Sequence, residues 1–250
     1  MVVPEKKGIA EASETIMDTE KTSTLTLLLM EGATSYHRWV YEEIKPYLKG
    51  NVLEVGCGIG NLTGWFLSRG KVMVSDVNRD YLQTVQDKFR GHSNLIGTAL
   101  WDMEQEPAEE SFLPIDTIVC SNVLEHIEDD HSVLKRSYRM LRPGGRLILL
   151  VPALKFLYNH LDRGLGHFRR YSREELARKL VSNGFEICYL TYFNPFGILG
   201  WFLNGTVLRR SILPAGQVRI FNRLVPLFKR IKKVFPVRMG QSLIAVGEKR

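Results

Sequence analysis

Seven side chains able to bind, polarise or carry a proton fall within fourteen residues: Tyr158, His160, Asp162, His167, Arg169, Arg170 and Tyr171. A connecting loop seldom spends so many titratable and aromatic groups together, so the segment is a candidate site. Its paired arginines suit a carboxylate or phosphate; in the structural alternative they pair with Glu174, Glu175 or a sheet edge. A second constellation lies earlier in the chain. Gly56, Gly58 and Gly60 occupy every second position, with Glu54 two residues before the first of them. Without a Cβ, such a loop lets a ligand approach the backbone and tolerates positive φ. The three cysteines, Cys57, Cys120 and Cys188, are odd in number, widely spaced and set in apolar runs. They read as buried free thiols in a reducing compartment, and no metal-ligand spacing involves them.

The surrounding pattern says what must position these groups. An apolar strand over 51–55 runs into the glycine loop, and a helix holding Leu62, Trp65, Phe66 and Leu67 follows. A strand, a glycine turn and a helix start make a nucleotide site at the carboxyl edge of a parallel sheet, or else a tight turn only. Further strands are predicted over 71–75 (ending at Asp76), 94–100, 115–120, 146–151 and 185–192, alternating with helices over 34–48, 81–89, 131–141 and 172–181. Arg142, Pro143, Gly144 and Gly145 are predicted to end the helix before the fifth strand. Alternation of this kind implies a doubly wound α/β fold, mostly parallel and seven-stranded. The last strand, 242–247, has no ordinary crossover before it. It is predicted to return antiparallel beside the sixth, with an insertion between them.

Val52 to Asn61 resembles the first motif of class I S-adenosylmethionine-dependent methyltransferases of the small-molecule type. Asp76 matches the acidic end of their second strand, Ser121 to Ile127 the motif after the fourth, and Leu141 to Gly145 the turn before the fifth. The resemblance implies S-adenosylmethionine as cofactor, with Glu54, Gly56, Cys57, Gly58 and Gly60 around its methionine end. Asp76 would accept from both ribose hydroxyls, with Val77 beside it. Asp102 would accept from the adenine amino group while Trp101 or Met103 packs on the base. Ser121 and Asn122 would meet the methionine tail through their backbone, just before Glu125 and His126. Methyl transfer needs an in-line approach and exclusion of water, and an oxygen nucleophile must also lose a proton. His167 is then the first candidate base, His126 the second and Tyr158 a third. His160, Arg169, Arg170 and Tyr171 are candidates for the acceptor. A nicotinamide-dependent oxidoreductase is the competing reading, but its loop needs glycine where this chain has Asn61. A non-catalytic, cofactor-binding regulator is a third.

The 250 residues suffice for one α/β domain with additions, and 44% hydrophobic with 24% charged residues is ordinary for a soluble protein. The net charge of +7 is not spread evenly. Between Glu186 and Glu248 there is no acidic residue, while nine basic ones fall there, from Arg209 to Arg238. The domain is therefore predicted over 34–193 and 241–250, with a basic and apolar helical insertion over 194–240. Its stretch 218–235 alternates apolar and basic groups at helical spacing, with Pro226 expected to interrupt or kink it. A lid, a dimer contact and a membrane-surface helix all fit. Nucleic acid is not expected, because the aromatic residues fall on the apolar side. Residues 1–33 are predicted to be a tail, mobile or briefly helical, without a secretory signal. A small-molecule acceptor, a monomer or homodimer, and a cytoplasmic location, peripheral to the membrane's inner face if the insertion binds lipid, complete the expectations.

Overall fold

The computed structural model describes residues 5–106, 114–234 and 238–250, with side chains from Met17 onward except that of Lys233. Seven strands form one sheet: β1 (Val52–Val55), β2 (Val72–Asp76), β3 (Leu95–Leu100), β4 (Ile115–Ser121), β5 (Leu141–Pro152), β6 (Phe185–Phe193) and β7 (Ser242–Lys249). Their order is β3-β2-β1-β4-β5-β7-β6. The pairs from β3 to β5 are parallel, and β7 runs antiparallel to both β5 and β6. The predicted last strand thus lies between the fifth and sixth, which makes β6 the edge. Strand order reverses between β1 and β4, the place where open α/β sheets bind ligands at their carboxyl ends.

Alternation along each strand divides the core in two. Leu53, Val55, Leu147, Leu149 and Val151 face α5 (Asp130–Met140) and α7 (Arg173–Ser182). Val52, Val72, Val74, Ile148 and Leu150 face the other way. That side is covered by α2 (Thr34–Ile44), α3 (Thr63–Leu67), α4 (Arg79–Lys88) and α9 (Ala215–Val234). Both faces are apolar because both are covered, as a parallel sheet requires. Glu54 shares its face with Val52 and is therefore carried into the core.

Four features differ from the sequence reading. Residues Glu5–Glu31 form one helix, α1, of 27 residues, where a mobile tail or a short helix was expected. Its hydrogen bonds to the glycine loop and to α4 supply the tertiary support that a weakly patterned helix needs. The segment Leu141 to Gly145 is the irregular start of β5, with a register shift against β4 and Gly144 at φ +76°. Cys57 and Cys120 are buried free thiols, but Cys188 is exposed, because it sits at the β6 irregularity on the sheet edge. Finally, α9 runs unbroken through Pro226. Val218 and Val225 are buried, Phe221 and Phe228 pack on the α2 side, and Lys229 and Lys232 pair with Glu42 and Glu43, so packing on both sides of the proline outweighs its missing donor. The predicted helix end at Phe235 lies outside the described residues.

Candidate functional site

The loop after β1 is built on three left-handed glycines, Gly56, Gly58 and Gly60, with φ of +66°, +51° and +80°. Any other residue would be strained there. The Gly56 and Cys57 amides donate to the Ser75 carbonyl at 2.8 and 3.1 Å, which ties the loop to the end of β2. There Asp76 is buried and accepts from the Gly58 amide (2.8 Å, Oδ2) and the Asn78 amide (2.9 Å, Oδ1). Burial raises its pKa, and those backbone bonds oppose the rise. A carboxylate has about four acceptor positions, so Asp76 can hold the loop and still meet a diol. Glu54 lies beneath, its Oε2 accepting from the Thr63 hydroxyl at 2.6 Å; burial pushes its carboxyl up to about 8.

The remaining predicted cofactor residues ring the same carboxyl edge. Val77 is 68% exposed beside Asp76. The Trp101 amide donates to the Asp76 carbonyl (3.1 Å), which brings half-buried Asp102 to the same side; its Oδ1 accepts from the Glu104 amide (2.8 Å). Met103 is buried in the core cluster and its carbonyl takes Arg136, so Trp101 is the better placed of the two to lie against a base. After β4, the buried Ser121 Oγ has no hydrogen-bond partner, and Asn122 is exposed in the left-handed region at φ +54°. Glycines that a Cβ would strain, two buried carboxylates and a strained residue at the β4 end together fit S-adenosylmethionine: a positively charged, phosphate-free ligand with a diol.

Helix α1 closes over this cradle. The Leu27 side chain lies 3.0 Å from where a Cβ on Gly58 would stand, and Asn61 Nδ2 donates to the Leu27 carbonyl at 3.0 Å. Asn78 Nδ2 donates to Glu20 (3.0 Å), and Thr24 and Tyr81 share a hydroxyl bond of 2.5 Å. Nothing in the sequence marked these contacts, which depend on α1 crossing the mouth of the cleft.

The Tyr158–Tyr171 cluster gathers on α6 (His160–Gly164) and the loop beyond it. Asp162 is fully buried and central: Oδ1 accepts from His167 Nδ1 (2.9 Å) and Arg170 Nε (2.8 Å), and Oδ2 from the Asn159 amide (3.0 Å) and Trp201 Nε1 (3.1 Å). Burial raises its pKa, but the His167 bond and the Arg170 charge outweigh it and hold the carboxyl below its ordinary value. His167 is thereby fixed, its Nε2 3.9 Å from Glu125 Oε1. The His126 ring stands edge-on to it at 4.7 Å, and burial lowers the His126 pKa to about 4, with the His167 charge adding to the fall. Glu125 is fully buried, and burial raises its carboxyl to about 7. Tyr158 donates to the His167 carbonyl at 2.8 Å.

Several predicted acceptor ligands are otherwise engaged. Arg170 is buried on Asp162 and the Ala153 carbonyl (2.8 Å), under the Trp201 ring at 4.9 Å, so it orders the loop instead of meeting an anion. Arg169 pairs with Asp130 (3.4 Å) and the Glu128 carbonyl (2.8 Å). Tyr171 is fully buried and donates to Asp130 at 2.9 Å. His160 Nδ1 lies 3.2 Å from the Gly205 carbonyl, in the insertion. The residues the sequence reading missed are Glu125, Asn159 and Trp201. Glu125 stood in a matched motif, but its meeting with His167 is a tertiary fact. Asn159 and Trp201 act by bringing α6 against α8 (Gly197–Trp201) and the π-helical turn Phe202–Val207.

Comparison with known proteins agrees with this fold. A family model described as a methyltransferase domain matches residues 35–190. The reducing polyketide synthase Preu2 of Preussia isomera is 33% identical over 135 residues, 50% of this chain and 6% of that protein. The ubiquinone/menaquinone biosynthesis C-methyltransferase UbiE of Vibrio vulnificus (strain YJ016) is 35% identical over 106 residues, 40% of each. The matches thus span less than half of those relatives' own lengths. Among solved structures, an S-adenosylmethionine-dependent methyltransferase from Clostridium acetobutylicum superposes with TM-score 0.56 at 13% identity, covering 86% of this chain and 91% of that one. Magnesium protoporphyrin IX methyltransferase (ChlM) from Synechocystis, with bound S-adenosylmethionine, superposes at 0.51 and 17% identity, covering 89% and 81%. The family model runs from the first turn of α2 into β6. The chain belongs to the class I S-adenosylmethionine-dependent methyltransferases.

Proposed function

We propose that the protein transfers a methyl group from S-adenosylmethionine to a small, amphiphilic acceptor whose receiving atom must shed a proton. The observation that carries this reading is the meeting, at one sheet edge, of the glycine cradle and the cluster of buried Glu125 and His167 with half-buried His126. Bound cofactor would supply an activated methyl on a sulfonium. The chain's part is to hold the cofactor through the Gly56–Gly60 backbone, Asp76 and Asp102, and to keep water out beneath α1. His167, held by Asp162 through Nδ1, presents Nε2 as the proton acceptor, and Tyr158 fixes the backbone that carries it. An oxygen or an acidic carbon fits such a cluster. The relatives named as C-methyltransferases support keeping carbon in that pair.

The amphiphilic character rests on the insertion. Leu199, Phe202 and Leu203 are exposed at i, i+3, i+4 spacing, and Ile220, Leu224 and Leu227 form an exposed stripe on α9. Arg219, Arg223 and Arg230 lie on the same helix, and Asn204 links the two segments by donating to Gln217 at 2.7 Å. No helix among the described residues is long and apolar enough to cross a membrane. An amphipathic surface with arginines suits adsorption to an anionic leaflet, where a lipid-linked acceptor would be presented from the cytoplasmic side. The test is methyl transfer from labelled S-adenosylmethionine to lipid-linked and water-soluble hydroxylated acceptors, with anionic vesicles present. S-adenosylhomocysteine release and label in the vesicle fraction are expected, both reduced in Ile220→Ser/Leu224→Ser. Label only in water-soluble acceptors, with no vesicle binding at low salt, would contradict the amphiphilic reading.

A further inference from the structure

The buried cluster has features that a proton acceptor alone does not need. Glu125, His126 and His167 each offer one ligand atom, and the three atoms lie within 4.8 Å of one another. The Glu125 carboxylate is fully buried, and neither of its oxygens finds a hydrogen bond to another residue. Burying such a group without a donor is costly, and a cation is the strongest compensation available. The His167 imidazole is backed on one side, which leaves its Nε2 facing Glu125. His167 Nδ1 is held by Asp162, itself fixed by Arg170, Trp201 and Asn159, and the His126 ring stands edge-on to His167 at 4.7 Å. A histidine whose second nitrogen is held by a carboxylate or a carbonyl is the usual metal-ligating arrangement. Sequence spacing hid this, because His167 comes from the segment after β5, while Glu125 and His126 follow β4.

We propose that Glu125, His126 and His167 form a three-ligand site for a divalent transition-metal cation such as Zn2+ or Mn2+. Two imidazoles and one carboxylate suit a borderline metal and leave coordination positions open, as catalytic metal sites do. Bonds of about 2.0–2.2 Å require ligand atoms roughly 3–3.5 Å apart, so the side chains draw together by about 1 Å on binding. Half-buried His126 leaves the cluster reachable from the cleft below α1, where Gly166 meets Thr19. Under the methyltransferase reading, the open positions would hold an oxygen of the acceptor, whose proton the cation would make easier to lose to water; His167 is the base of the proposed function only while the cation is absent. That role rests on the proposed function; the cation site does not.

The test uses the full chain stripped with chelator, titrated with Zn2+ by calorimetry and with Co2+ by visible absorption. One equivalent should bind, with a d–d spectrum of low coordination number, and Glu125→Gln and His126→Asn should each weaken binding at least about tenfold. S-adenosylhomocysteine affinity and the circular dichroism spectrum serve as controls for folding. Because His126 is only half-buried, its variant keeps the test valid if Glu125→Gln does not fold. Uptake well below one equivalent, or variants that bind as the parent does, would overturn the site. Metal uptake without S-adenosylhomocysteine binding would uphold it and sink the methyltransferase reading. S-adenosylhomocysteine binding without uptake would do the reverse.

Discussion

Glu54 is buried on the α2–α4 face with one hydroxyl partner, and burial raises its carboxyl from 4.5 to about 8. The folded state therefore binds its proton more tightly than the unfolded chain does. The stability from this group is fully present below about pH 4.5 and is lost as pH rises through about 8. Between pH 6 and 8.5 the melting temperature of the cofactor-free protein should fall, and Glu54→Gln should flatten that slope; an unchanged slope would remove Glu54 as its source. Arg170 makes a different prediction. Arg170→Met leaves Asp162 buried with one charged partner fewer, and should cost roughly 3–5 kcal/mol in denaturant unfolding. A loss below about 1 kcal/mol would mean that the Asp162 network relaxes around the change. The cradle was readable at this scale, because three glycines in alternation have few other uses and Asp76 ends a strand. The roles of Arg169, Arg170 and Tyr171 were not. Asp130 and Asp162, which occupy them, lie 39 to 41 and 8 residues away in the chain, and only the packed fold aligns them.

Helix α1 is where pattern reading was weakest. The first part of the chain was expected to be a mobile tail or a short helix, yet α1 is held by polar contacts that a hydrophobic pattern cannot show: Asn61 to the Leu27 carbonyl, Asn78 to Glu20, Thr24 to Tyr81. Asn61 stands where a dinucleotide loop would have its third glycine, and its side chain is spent on this helix. As α1 covers the cradle, it should move for the cofactor to exchange. Hydrogen exchange in residues 19–31 should slow when S-adenosylhomocysteine binds. Leu27→Ala should speed both that exchange and cofactor dissociation, measured by stopped flow. If exchange in α1 is indifferent to cofactor, the helix is not a cover. By contrast, α9 was legible as a basic amphipathic helix, and only its passage through Pro226 was not. That passage depends on Val225 and Phe228 packing against the domain and on two ion pairs to α2.

At the scale of the molecule, the sheet was almost wholly legible. Strand–helix alternation implied a parallel sheet, and the missing crossover before 242–247 implied an antiparallel end. Where that strand inserts was not legible, since hydrogen bonding to β5 and β6 at once is a property of the assembled sheet. The topology places the ends of β1, β2, β4 and β5 along one edge, so the cofactor cradle and the His167 cluster are neighbours by construction. The insertion reaches the same edge through Trp201, whose indole donates to Asp162. The central claim, that this edge is an S-adenosylmethionine site, is tested most directly by calorimetric titration with S-adenosylhomocysteine. The parent chain should bind one equivalent, Asp76→Ala and Gly58→Ala should each bind more than about tenfold weaker, and NADH should not bind. Binding of NADH in place of S-adenosylhomocysteine, or equal affinity in both variants, would contradict it.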